Sequence, residues 1–460
     1  MKKIAVLLIS IISILSFSFD VKFNLNPKLD FDKLSTEMRF DLSHEYEYFK
    51  FLADMSLNSD EKYGTGQGGG LDKYYYYMNN GGVSMKYENI EFDAGIFEHY
   101  DEVHSPYSLF ISSLGNNSMI LNFRFEDDNF FYGSRWIRLN KNSALSYPDR
   151  GANYKVYGLK FGNIRFAYQD SIVYTGRYFD AEYFLNPIPN FFVQYINVSS
   201  GNPWQQNGND NSIMGFLIDI EEDYYYAYAQ ILVDDINMNR FLKPEGYQNP
   251  DKIAWSLGGN FDTNFGNIGL YHAGATKYTF EPYGNSTQNT MYGYTYYPDV
   301  EYEVKTINKT ILNEDNYIGY YNGENNISFM ITYNNEKNSS DLLYKGSIEY
   351  SVSGSKSPAN PWHEKPDWNS GIDGHKNSTK LLDESVLENK LIWKNYFKFN
   401  VLNNLSIGFR ADEGYIFNKL KLVDAEPESE HNNIKYYKPS NENVPILILG
   451  IDFEYIWNIN

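Results

Sequence analysis

Seven histidines, at His44, His99, His104, His272, His363, His375 and His431, are the first residues to test for chemistry, and no cysteine accompanies them. None sits at a carboxylate spacing that makes a metal-hydrolase motif, and neither a nucleophile elbow nor a phosphate loop is present. His99 and His104 bracket Asp101 and Glu102, a group that reads as metal ligands or, better, as a polar turn. Asp367, Asn369, Gly371 and Asp373 have calcium-loop flavour but lack the terminal glutamate of an EF-hand. Asn207 to Asn211 has the same standing, and a turn-rich loop is the better reading of both. The sequence therefore predicts no enzyme, no bound metal and no cofactor.

Rings beside amides are the more informative grouping. Trp204 stands with Gln205, Gln206, Asn207 and Asn209. Trp362 and Trp368 stand with His363, Asp367 and Asn369, and Tyr292, Tyr294, Tyr296 and Tyr297 form a third cluster. A flat ring packs on sugar C–H groups while amides and carboxylates bond hydroxyls, so these are candidate glycan contacts. The alternative is that the rings pack within their loops or sit at a membrane interface.

The elements that would carry these loops alternate with period two. From Pro445 onward Leu447, Leu449, Ile451, Phe453, Tyr455 and Trp457 share one face, opposite Gly450, Asp452 and Glu454. Phe397, Phe399 and Val401 alternate with Lys394, Tyr396, Lys398 and Asn400, and Phe409 and Ala411 alternate with Arg410 and Asp412. Met119, Leu121, Phe123 and Phe125 alternate with Asn122, Arg124 and Glu126. Such stretches joined by tight turns are antiparallel hairpins with one apolar and one polar face. The charged face, with Arg124, Glu126, Lys394, Lys398, Arg410, Asp412, Asp452 and Glu454, would line a polar lumen.

Connections alternate in length as well. Long polar gaps fall at 423–444, 352–390, 281–299, 240–252, 199–211 and 140–153. Compact turns fall near 402–404, 335–340, 311–314, 263–267, 221–223, 186–190, 162–163 and 127–128, with short outward connections at 174–177 and 323–326. This sorting predicts an all-β chain: a transmembrane antiparallel barrel of about 18 strands (16–20), with long extracellular loops and short periplasmic turns. The barrel is read over 107–460, while 19–106 is left as a periplasmic or plug-like segment or as early strands. Leu381, Leu382, Val386, Leu387 and Leu391 behind Ser378-Thr379 predict a helix inside the longest outer loop, either packed on that loop or plugging the lumen.

Composition agrees with export to an outer membrane. Lys2 and Lys3 precede an apolar run from Ile4 to Leu15 and small residues at Ser16 and Ser18, so residues 1–18 read as a signal peptide. With no cysteine, disulfides and a lipoprotein anchor are both excluded. The chain holds 43 Tyr and 31 Phe, which suit strands and the aromatic girdles of a barrel. A net charge of −20 argues against a nucleic-acid partner. The partners expected are outer-membrane lipid, the barrel-assembly machinery during insertion, and a surface polysaccharide.

One stretch carries a family likeness. Tyr228-Ala229-Gln230-Ile231-Leu232-Val233-Asp234-Asp235-Ile236 resembles a strand ending in the paired aspartates of the Wzi-like capsule-assembly barrels. It follows Arg177-Tyr178-Phe179 through Asn197, with Pro187 and Pro189 placed in a turn, and precedes Lys277-Tyr278-Thr279 and Pro282-Tyr283. The likeness covers residues 130–300. It implies an outer-membrane barrel holding surface polysaccharide through extracellular loops. It assigns no ligand residue, and Asp234 and Asp235 could equally serve to organise the following loop. A porin-type channel for small solutes is the competing reading, since mixed lumen charges fit either function.

Overall fold

The computed structural model describes residues 19–30, 33–63, 73–112, 117–142, 148–205, 210–236, 238–242, 250–281, 294, 301–304, 307–310, 317–336, 342–356, 379–424 and 435–459. The proposed signal peptide lies outside the described residues.

Strands form wherever apolar and polar residues alternate. In chain order they are β1 (Phe19–Asp30), β2 (Lys33–Tyr46), β3 (Phe49–Asn58), β4 (Tyr75–Tyr87), β5 (Ile90–Phe97), β6 (Ser118–Glu126) and β7 (Phe130–Asn140). Then come β8 (Arg150–Phe161), β9 (Ile164–Thr175), β10 (Asn211–Glu222), β11 (Tyr225–Asp235), β12 (Lys252–Thr263) and β13 (Gly266–Ala275). A small hairpin, β14 (Glu301–Val304) with β15 (Ile307–Thr310), precedes β16 (Asn326–Asn334), β17 (Leu342–Ser353), β18 (Glu388–Leu402) and β19 (Leu405–Phe417). A second small hairpin, β20 (Leu420–Asp424) with β21 (Lys435–Pro439), precedes β22 (Val444–Ile459). Apart from the two small hairpins, each strand pairs antiparallel with its neighbours, and β22 pairs with β1, closing an 18-strand barrel. Closure leaves no unpaired edge in the bilayer.

Register fixes which side chains face out. Ile451, Phe409, Phe397 and Tyr344 lie side by side across four strands. On β22 Leu447, Leu449, Ile451, Phe453 and Tyr455 are each about 40% exposed while Gly450 between them is buried. A band this apolar and this wide would not face water. It faces lipid, and the alternate residues face the lumen.

Turns at one end are short, such as Gly162-Asn163 between β8 and β9, where Gly162 takes φ +64° without strain. Both described termini lie at this periplasmic end, and the long connections lie at the other.

The structure redraws four sequence expectations. Five barrel strands lie before residue 107, within 19–97, and thirteen after it, so the barrel begins at Phe19 and not at 107. Residues 174–177 and 323–326 are not strand-to-strand turns but parts of two long outer connections, 176–210 and 276–325. The 186–190 turn, with Pro187 and Pro189, joins two helices, Ala181–Leu185 and Asn190–Val198. The expected turn at 311–314 lies outside the described residues. Finally, 379–387 is irregular instead of helical. Leu382 has φ +51°, which ends any helix, and its N–H donates to Asn325 Oδ1 at 2.7 Å. Leu391 belongs to β18 and faces lipid.

Candidate functional site

The lumen is filled by the chain itself. The β5–β6 connection turns inward after Phe97 and brings Tyr107, Leu109, Phe110 and Ile111 to zero exposure. Its frame is Asp101, whose Oδ1 accepts the Val103 N–H at 3.0 Å and whose Oδ2 accepts the Phe110 N–H at 3.0 Å. The Asp101 N–H donates to the Ile111 carbonyl at 3.0 Å, closing the segment on itself. Burial pushes the Asp101 carboxyl above its ordinary range, while the Phe110 N–H and Gln230 oppose the shift. Burial, with the nearby Arg135 charge adding, pushes the His99 imidazole down to about 3, so the ring is neutral.

This segment is braced to the wall at many points. Gln230 on β11 donates to Asp101 Oδ2 at 3.0 Å and accepts the Leu109 N–H at 3.1 Å. Glu102 pairs with Arg124 at 2.7 Å and stands 3.8 Å from Arg165, which in turn pairs with Asp219 at 2.5 Å. Glu126 pairs with Arg124 at 2.6 Å and with Lys160 at 2.5 Å. The Tyr107 hydroxyl donates to Glu349 on β17 at 3.0 Å. The His99–His104 group is therefore part of this brace, with both carboxylates already engaged.

The β13–β16 connection supplies the rest of the plug. Asp234 and Lys252 pair at 2.9 Å with almost no exposure, and Asp234 accepts the Phe280 N–H at 2.9 Å. Glu324 accepts the Tyr278 N–H. Tyr278 and Phe280 have φ of +73° and +75°, unusual for bulky residues, so two carboxylates hold two strained peptide N–H groups. Ser112 donates its N–H to the Ile318 carbonyl at 2.5 Å and its hydroxyl to Gly319 at 2.8 Å. Lys277 pairs with Glu384 at 2.9 Å, and Glu384 also accepts from Asn325, tying the 379–387 segment to the plug.

The filling is one-sided. It packs against β5 to β13, β16 and β17, where Glu102, Asp219 and Asp234 side chains are at most 9% exposed. The opposite arc, β18, β19, β22 and β1 to β4, is more open: Arg39 and Arg410 are 38% and 39% exposed against 21% and 17% for Arg124 and Arg165, while their partners Asp54 and Asp412 are buried. There Arg39 Nε donates to Asp54 at 2.8 Å, Arg410 Nε to Asp412 at 2.9 Å, and Lys398 pairs with Glu454 at 2.5 Å. Lys394 and Asp452 share this inward face. The lumen thus has a filled side and a more open side.

Of the ring residues, Trp204 and Gln205 are exposed on the outer β9–β10 connection. Tyr294 is not displayed to a ligand: it is fully buried, packs near Phe280, and donates to the Phe110 carbonyl at 2.8 Å. Asn207, Tyr296, Trp362, Asp367 and Trp368, together with the 367–374 loop, lie outside the described residues. Asp210 is engaged by Arg177 at 2.9 Å and by Tyr183. Of the plug residues, Tyr107 and Glu349 were not singled out by sequence, and Glu102 and Gln230 were named only for other reasons, in a polar turn and in the family likeness. The available signal was the apolar run Leu109-Phe110-Ile111 in a loop, which is too greasy to stay in water.

A closed 18-strand barrel, apolar outside and charged inside, is a transmembrane β-barrel of the outer-membrane class. Its fold is similar to that of Wzi of Escherichia coli, an outer membrane protein involved in group 1 capsule assembly and described as a carbohydrate-binding β-barrel. The two share 10% identity at a TM-score of 0.52, over 98% of this chain and 86% of that one. Looser likenesses are to Pseudomonas aeruginosa OccK8 (OprE), at 9% identity and TM-score 0.46 over 96% and 98% of the two chains. The same holds for P. aeruginosa OprD, at 8% identity and TM-score 0.43 over 95% of each chain. No family model and no curated protein matches the sequence.

Proposed function

We propose that this barrel is a glycan-binding, polysaccharide-attachment protein of the outer membrane, working through its extracellular loops. The observation that carries this reading is the braced plug. A lumen filled along eleven strands by buried rings, carboxylates and ion pairs is built to stay filled. That moves the working surface to the outer end, where Trp204 and Gln205 are exposed. The carbohydrate binding described for Wzi, which shares the fold, supports the choice of ligand class.

The test pairs single-channel recording in a planar bilayer with glycan binding by the folded protein. Silence with saturable polysaccharide binding supports attachment, whereas stable porin-sized steps without binding overturn it. Trp204→Ala should weaken glycan binding by about fivefold, the loss of one stacked ring worth about 1 kcal/mol, and leave thermal stability unchanged. Unchanged affinity would remove Trp204 from the site.

The more open arc favours a second reading, a narrow path for small solutes. Its opposed charges, Arg39 with Asp54 and Arg410 with Asp412, would give weak ion selectivity. Small steps with near-equal cation and anion permeability are its signature.

A further inference from the structure

The β9–β10 connection does not rise away from the barrel. Its two helices fold back along the outer wall, on the face that elsewhere meets lipid. The register shows this directly. On β8, Leu159 and Tyr157 belong to the outward row, and the next member of that row is Lys155, opposite Asp170 on β9 and Ser134 on β7. Lys155 and Asp170 lie mid-strand in twelve-residue strands, at the depth of the hydrocarbon band. Bare, they would put two ionisable groups against acyl chains.

The helices cover them. Tyr183 and Val193 pack with Trp136, Ile172 and Tyr174 of the outer wall. Each carbonyl of the segment between the helices, Asn186 to Pro189, is met, three of them by the wall and the last by the second helix. Lys155 Nζ donates to the Asn186 and Ile188 carbonyls at 2.7 Å each. Tyr157 donates to the Pro187 carbonyl at 3.0 Å, and the Pro189 carbonyl accepts the Phe192 N–H at 3.1 Å. The Asn186 N–H goes to Glu182 and the Ile188 N–H to the Asn186 side chain, while two prolines remove the remaining donors. Asp170 accepts the Asn190 N–H at 2.8 Å. Full internal satisfaction of irregular backbone is what a bilayer demands and what an aqueous loop does not need.

The outer face of this element is apolar. From Tyr183 to Val198 there is no charged side chain. Leu185, Phe192, Tyr195 and Ile196 are exposed, continuous with the belt residues Phe166 and Phe216 of the strands beneath. At the outer end of the element, Arg177 holds its entry by pairing with Asp180 at 2.6 Å and Asp210 at 2.9 Å.

We propose that these two helices are a membrane-embedded flange, whose exposed aromatic face contacts the acyl chains of the outer leaflet. It widens the footprint of the barrel on one side and shields a polar patch of its wall. The occupant is lipid because the face is continuous with the lipid-facing belt and its one charged side chain, Glu182, sits in the first turn of the first helix and is bonded by Asn197 at 2.9 Å.

The absence of native cysteine makes the test clean. Phe192→Cys and Tyr195→Cys are labelled with an environment-sensitive fluorophore, refolded, checked by heat-modifiable migration, and placed in phosphatidylcholine vesicles. Phe216→Cys on the belt and Asp128→Cys in a periplasmic turn are the lipid and water references. Quenching by acyl-chain bromine to the extent seen at position 216, with iodide ineffective, is the expected result. Iodide quenching as strong as at position 128 would overturn it. So would self-quenching that disappears on dilution with unlabelled protein, which would make a second copy the occupant.

Discussion

Replacing residues 99–112 with a short Gly-Ser linker should open a wide path through the lumen, beside the part that the β13–β16 connection still fills. The replaced segment supplies Tyr107, Phe110 and Ile111, the centre of the lumen filling, and four bonded contacts to the wall through Asp101, Glu102, Tyr107 and Leu109. The wall should survive, because its ladder of strand pairs does not run through this connection. Barrels of this strand number enclose an aqueous channel when nothing fills them. The readout is single-channel conductance beside the parent protein. Large, stable steps in the variant, against silence or narrow steps in the parent, are expected. Equal conductance in the two would mean that the segment does not obstruct the path.

Asp234→Ala is the second large effect, at about 3–5 kcal/mol of lost stability, because it strands a buried cation. Lys252 is 4% exposed and, among the described residues, its ammonium is left with the Glu281 carbonyl at 3.0 Å when Asp234 is gone. The same change frees the Phe280 N–H, at a residue whose φ of +75° needs holding. Asp234→Asn retains an acceptor and should lose less. Urea unfolding in detergent, followed by tryptophan fluorescence and gel migration, gives the ranking. Equal midpoints for parent and alanine variant would show that this pair is not a brace.

Much of this was legible in the chain because membrane strands obey a simple rule. β18, β19 and β22 could be read residue by residue, with Arg410, Asp412, Asp452 and Glu454 placed on the inward face. The early strands stayed only one of the readings of 19–106 for physical reasons. β1 alternates Val21, Phe23, Leu25 with Lys22, Asn24, Asn26, but Pro27 interrupts it, and its link to β2 spans only 31–32 on the side expected to carry long loops. β4 contains Gly81-Gly82 and faces a register shift in β3, so its period is broken. The plug was illegible because a segment buried in a lumen has neither period two nor the polarity of an outer loop. Pro187 and Pro189 read as a compact turn of the wall, whereas they join two helices packed against it. Asp234 did stand at the end of a strand, but what it holds is Lys252 at the start of β12 and the Phe280 N–H in the β13–β16 connection, partners that spacing could not reveal.

The closing pair of the barrel joins the first described strand to the last, with Phe23 beside Tyr455 and Leu25 beside Phe453. Every other neighbour in the wall, apart from those flanking a small hairpin, is also a neighbour in sequence. One seam therefore carries nearly the whole chain length as its loop, and it is the slowest contact to find. Until β22 arrives, β1 and β19 are both open edges, each able to template pairing with another chain. A chain shortened by its final strand would thus be expected to accumulate as aggregate or be cleared by proteolysis, not to persist as a smaller barrel.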